Sequence, residues 1–151
     1  MIRTLFPKEL RERDLISKNV LLPYASDFHN ILRDIFLNGV FEGLPAYQEV
    51  PLWFFGKSAN CNYGSQTLYV DWYLPLYRAC FELNGGHHDK PVKWASWVTK
   101  SESELAFISQ QRRDERKRYV LEENGFNLFS IPYKDKNKMN ESYISNLLRS
   151  I

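Results

Sequence analysis

The sequence predicts an α/β domain, and three stretches carry that prediction. Residues 68–83 hold two short apolar runs rich in β-formers, Leu68-Tyr69-Val70-Asp71-Trp72-Tyr73 and Ala79-Cys80-Phe81-Glu82-Leu83, separated by a turn at Pro75. Phe28, Ile31, Leu32, Ile35 and Phe36 recur at the i, i+3, i+4, i+7, i+8 spacing of an amphipathic helix. Ser101-x-x-Glu104 has the form of a capping box, and it opens a long polar helix over 101–124 that Gly125 ends. The alternating run 126–131 then reads as a closing strand. These pieces assemble most simply as a mixed, mostly antiparallel central sheet flanked by the two helices.

In chain order, residues 7–18 read as a short helix, with Pro7 in its first turn and Asn19 at its end. Its apolar face is thin, only Leu10, Leu15 and Ile16, so 1–24 reads as an arm. Ser26 is the N-cap of the amphipathic helix, and Asn38-Gly39 stops it. Within that helix His29 reads most simply as an exposed residue. Residues 47–55 read as a strand in which Pro51 marks an edge or a bulge. Trp53-Phe54-Phe55 is core on the plain reading, the alternative being an aromatic wedge beside a DNA groove. A polar loop spans 56–65. Residues 87–100 lack periodicity and mix Lys90, Lys93, Trp94, Trp97 and Lys100, which suits either base stacking with phosphate contact or a loop packed by its own tryptophans. Pro132 ends the closing strand, and a polar tail leads to a last helix over 141–149 packing Tyr143, Ile144, Leu147 and Leu148. The organisation is therefore an arm over 1–24, a core over 25–133 and a C-terminal tail with a short helix over 134–151, within one domain.

A chain of 151 residues is long enough for one sizeable core, and 44% hydrophobic with 15% aromatic residues argues against disorder. Net charge is only +2, so no global basic field points to a polyanion. The distribution is less even: residues 112–118, RRDERKR, hold five basic side chains, with Lys134, Lys136 and Lys138 not far beyond. Such a run either neutralises phosphates or forms a solvated, internally paired helix face. The two cysteines, Cys61 and Cys80, have neither metal-ligand nor disulfide spacing, and Cys80 reads as a small core residue. With no signal peptide and no apolar run near the ~20 residues that cross a bilayer, the expected setting is cytoplasmic, with no membrane partner.

Chemistry is expected from the acids of the hairpin. Strand alternation sets Glu82 and Asn84 on one face and turns Phe81 and Leu83 toward the core. Carboxylates such as Asp71 and Glu82 on adjacent, half-desolvated strands repel, which raises the pKa of one unless a cation lies between them. Mg²⁺ (or Mn²⁺) is the simplest such cation, since it takes one or two carboxylates plus waters and substrate phosphates.

The run Asp71-Trp72-Tyr73-Leu74-Pro75-Leu76-Tyr77-Arg78, then Glu82-Leu83-Asn84 and Gly85 with His87 and His88, resembles the PD-(D/E)xK nuclease superfamily, and within it the very-short-patch-repair endonuclease group. Arg113-Asp114-Glu115-Arg116 and the Leu121, Gly125, Phe126, Leu128 pattern resemble that group's basic helix and closing strand. The likeness covers residues 66–133, and it implies a restriction-endonuclease-like fold and metal-dependent hydrolysis of phosphodiester bonds. It implies Asp71, Glu82 and the Leu83 carbonyl as metal ligands. The group's first core helix often bears a helping glutamate; His29 stands in that place here, and Asp27, Glu42 or Glu49 could substitute. The superfamily's lysine two residues after the second acid is Asn84 in this chain, so His87, His88 or Lys117 is left to handle the proton. Asp114 is then a supporting acid or an ion-pair partner for Arg113 or Arg118. Gly85-Gly86 either lets the substrate approach the backbone or only makes the turn. Arg112, Arg113, Arg116, Lys93, Trp94 and Trp97 are the candidates for contacting nucleic acid, DNA or RNA. The group's zinc ligands have no counterpart. A monomer would nick one strand, and a homodimer would cut both. The competing reading is a non-catalytic nucleic-acid or protein-binding module that kept the fold, which Asn84 favours.

Overall fold

In the computed structural model, residues 11–56, 62–63, 66–84 and 97–151 are described. Their order is β1 (Ile16–Ser17), α1 (Asp27–Leu37), β2 (Tyr47–Pro51), β3 (Asn62–Tyr63), β4 (Gln66–Thr67), β5 (Tyr69–Leu74), β6 (Ala79–Asn84), α2 (Lys100–Glu123), β7 (Asn127–Pro132) and α3 (Glu141–Arg149). Among the described residues one five-stranded sheet runs β1-β2-β5-β6-β7, with β3 and β4 forming a separate two-stranded ribbon. The first four strands of the sheet pair antiparallel and β6 pairs β7 parallel, with α2 as the crossover. The sheet is mixed and mostly antiparallel, as the sequence implies.

Side-chain alternation divides the core into two layers. Trp72, Leu74, Phe81 and Ile131 meet Phe28, Leu32 and Phe36 of α1 and Ile144 and Leu148 of α3 on one face. Val50, Tyr73 and Cys80 meet Val120 and Leu121 of α2 on the other. Cys80 is buried as expected. Ser26 caps α1, its hydroxyl accepting from the His29 amide.

Several boundaries differ from the sequence reading. Residues 11–18 are not helical: a 3-10 turn over Glu12–Asp14 leads into edge strand β1. Lys18 follows, buried, and its ammonium donates to the carbonyls of Phe36, Phe41, Glu42 and Leu44 at 2.6–2.8 Å. The capping box of α2 lies two residues earlier than predicted. The Thr99 hydroxyl accepts from the Glu102 amide, and Glu102 reaches back to Thr99, the same T/S-x-x-E pattern in a nearer frame. The 47–55 strand stops at Pro51 and becomes a 3-10 turn over Leu52–Phe54 that buries Leu52.

The β5–β6 turn is fastened to the end of α2. Arg78 takes a left-handed conformation (φ 47°), donates from Nε to the Gly125 carbonyl at 3.0 Å and from Nη2 to the Asn124 carbonyl at 2.9 Å, and covers the Phe126 ring at 4.1 Å. These carbonyls lie at a helix C-terminus, where cationic donors are favourable.

Candidate functional site

The register that pairs Leu74 with Ala79 and Trp72 with Phe81 sets Asp71 opposite Glu82 one step further on. There side chains take over from the main-chain ladder. Asp71 Oδ2 accepts from the Leu83 amide at 2.8 Å, and Glu82 Oε2 accepts from the Asp71 amide at 3.2 Å. Asp71 thus takes the amide next to Glu82, and Glu82 takes the amide of Asp71 itself, which ties the two acids together where the strands part. Glu82 shares strand parity with Cys80 and faces the α2 side of the sheet, while Asp71, between Val70 of the α2-side cluster and Trp72 of the α1-side cluster, reaches Glu82 and also the cavity on the α1 side. From α2, Lys117 places its ammonium directly on Glu82 Oε1, with side chains only 14% and 9% exposed.

Electrostatics separates the roles of these groups. Burial pushes the Asp71 carboxyl well above the ordinary aspartate range, and the charge and hydrogen bond of Glu82 push the same way; the Leu83 amide and Lys117 oppose without winning. For Lys117 burial pulls downward, but the Glu82 ion pair and hydrogen bond, with the charges of Asp71 and Asp114, more than offset it, and the net shift is upward. Lys117 is therefore favoured as an ammonium, and the charged form of Asp71 is disfavoured unless a cation lies near it.

On the α1 side, Asp71 and Leu83 also line a cavity of about 470 Å³ together with the first turn of α1, Tyr24, His29, Glu49, Tyr133 and Lys136. His29 is buried against the Trp72 ring, centroids 4.9 Å apart. Gln48 fixes its tautomer. The Gln48 amide nitrogen donates to the carbonyls of Ser17 and Val20, so its Oε1 is left to accept from His29 Nε2 at 2.9 Å. The lone pair then resides on Nδ1, and burial lowers the imidazole pKa against the opposing Gln48 bond, which keeps the ring neutral. Glu49, beside Gln48 on β2, has φ 49°, a left-handed conformation that costs a non-glycine residue about 1–3 kcal/mol. Tyr24 donates from its hydroxyl to Glu49 Oε2 at 2.8 Å.

Of the predicted site residues, the structure brings together Asp71, Glu82, Leu83 and Lys117. Asn84 ends β6 half-buried, paired in register with Pro132. Asp114 accepts from Gln110 at 2.9 Å and adds negative charge near Lys117, while Arg118 pairs with Glu122. Arg112 is exposed on α2, Arg113 and Arg116 are half-buried, and Trp97 just before α2 is 81% exposed. His87, His88, Lys93 and Trp94 lie outside the described residues. The structure corrects one expectation, since His29 is buried rather than exposed. Tyr24, Tyr133 and the role of Lys136 as a cavity wall carried no sequence signal, because two segments far apart in the chain supply them. Comparison with protein-family models, curated proteins and solved structures yields no match.

Proposed function

We propose that this protein is a metal-dependent nuclease of restriction-endonuclease-like fold that hydrolyses phosphodiester bonds, with Asp71 and Glu82 as the metal-binding pair. The observation that carries this reading is the pairing of two carboxyl groups across adjacent strands with an ammonium, Lys117, beside them. The donor set suits a hard cation. Among the described residues no group of three or more His, Cys, Asp or Glu side chains comes together, as a protein-enclosed zinc site would need, whereas Mg²⁺ needs only one or two carboxylates. In an extended strand the N–H and C=O of a residue project to the same edge, so the Leu83 carbonyl faces β5 along with the amide that binds Asp71. It would be the third ligand.

A divalent ion held there would supply a nucleophilic water and offset charge on the phosphorane. A cation at the pair would favour the ionised form of Asp71, which burial disfavours. Lys117 keeps Glu82 in place and supplies, from a helix, the ammonium that the usual sequence pattern puts two residues after the second acid. Arg112 and its neighbours on α2 would hold the substrate backbone through phosphate contacts.

The same ion pair also favours a second reading, a non-catalytic binding module. Lys117 already neutralises Glu82, and Asn84 stands in the lysine position. Supercoiled plasmid incubated with Mg²⁺ or Mn²⁺ separates the two. Nicking by the wild type that falls to background in Asp71→Ala and in Glu82→Ala, with circular dichroism unchanged, supports the enzyme; absence of metal-dependent cleavage on any DNA or RNA supports the module.

A further inference from the structure

We propose that the cavity beside Asp71 is a nucleotide subsite, which takes one phosphate-bearing base of a nucleic-acid strand with the phosphate toward Asp71 and Lys136 and the base against Tyr24 and Tyr133. The proposal rests on the nuclease reading for the nature of the strand, but its evidence is the cavity itself. About 470 Å³ lies within the ~300–1,000 Å³ typical of small-molecule sites. Its walls differ in chemistry. Tyr133 is half-exposed, braced edge-on by Phe28 at 6.0 Å, with the Lys136 ammonium 5.5 Å from its ring centre. A cation and a stacking surface therefore meet at one rim, the pairing that single nucleotides call for. Tyr24 lies at the rim too, exposed along its ring and tethered through its hydroxyl to Glu49.

The cavity floor gives the ligand's polar end its place. The first turn of α1 opens onto the cavity; the His29 amide is taken by Ser26, while the amides before it have no intrahelical partner, and such amides favour anions. Asp27, Glu49 and Asp71 also face this space, so a phosphate alone would be repelled. Occupancy should consequently depend on a divalent ion at Asp71. That requirement sets the subsite apart from the basic face of α2, which would hold phosphates without metal.

Amide spectra of the full ¹⁵N-labelled chain, titrated with a purine 5′-mononucleotide in Ca²⁺, test this without turnover. The expected result is saturable shifts at residues 24–29, 71 and 133–136, absent without Ca²⁺, and at least about tenfold weaker binding for inorganic phosphate. Lys136→Ala and Tyr133→Leu should each weaken the nucleotide by about tenfold, while Tyr133→Phe, which keeps the ring, should bind like the wild type. A short single-stranded oligonucleotide should shift the same residues more tightly. Phosphate that binds as well as the nucleotide, shifts confined to α2, or an oligonucleotide excluded where the mononucleotide enters would overturn the proposal. Nucleotide binding in a protein that never nicks plasmid would sink the nuclease reading and leave the subsite standing; nicking without these shifts would do the reverse.

Discussion

Asp71 is the residue on which the site's sensitivity to pH turns. Its folded-state pKa is raised, chiefly by burial, so the folded protein holds this proton more tightly than the unfolded chain. The resulting stabilisation is present below the ordinary aspartate value near ~4 and is lost as pH climbs from there through the raised value. Metal-free protein should therefore lose a few degrees of melting temperature across that window, and Asp71→Asn should remove the loss and melt higher at neutral pH. Mg²⁺ should raise the wild-type melting temperature more at higher pH, because the departing proton is then cheaper, and should leave Asp71→Asn unmoved. Thermal melts between pH 4 and 8 with and without Mg²⁺ read both effects.

The Lys117–Glu82 pair makes a second prediction at this scale. Removal of one partner strands a desolvated charge, so Lys117→Met should cost about 3–5 kcal/mol in urea unfolding. Adding Glu82→Gln should recover most of it, a coupling that only a direct pair gives. The meeting of Asp71 and Glu82 was legible in the sequence, because alternation within two β-rich runs about a short turn leaves few registers. His29 could have been read as buried, since it stands three and seven residues before Leu32 and Phe36 on the same stripe. The positive φ of Glu49 could not, because no local residue preference asks for it.

Lys18 organises a set of elements from a distance. One ammonium gathers the C-terminal end of α1 and the turns up to Leu44, and it satisfies carbonyls that no strand or helix reaches. Lys18→Met should leave several of these acceptors buried without donors and cost at least about 3 kcal/mol, measured by chemical denaturation. An activity loss no larger than the folding loss would mark its role as structural. Nothing local signals this arrangement: a lysine beyond a thin apolar stretch reads as solvated, and only the closing of β1 onto β2 buries it. The α2 cap was legible in kind and wrong in position, because Thr99-x-x-Glu102 and Ser101-x-x-Glu104 obey the same rule; the frame adopted is the one that follows the buried Val98 directly.

Across the whole molecule the charge is nearly balanced, yet five basic side chains crowd one helical stretch, Arg112 among its exposed residues. Affinity for a labelled duplex should fall linearly in a plot of log K against log salt, and Arg112→Ala should reduce the slope by about one without altering sequence preference. Fluorescence anisotropy across a salt series checks this, and a flat plot would exclude phosphate contact. At this scale the sheet flanked by helices followed from the sequence, because helical and strand periodicities alternate along it. The parallel pairing of β6 with β7 did not, since it is fixed by contacts across the 24-residue helix between them.

The Arg78 clamp joins those scales. It sits at one end of the hairpin whose other end bears both acids, and its two carbonyl acceptors close the helix that carries Lys117. Hairpin and helix are thereby tied at two points, by a guanidinium at the turn and by an ion pair at the fork. Two such ties leave little freedom for the acids to spread, so the proposed metal ion would have to fit the gap it finds, and ionic radius would then become a selecting property of the fold.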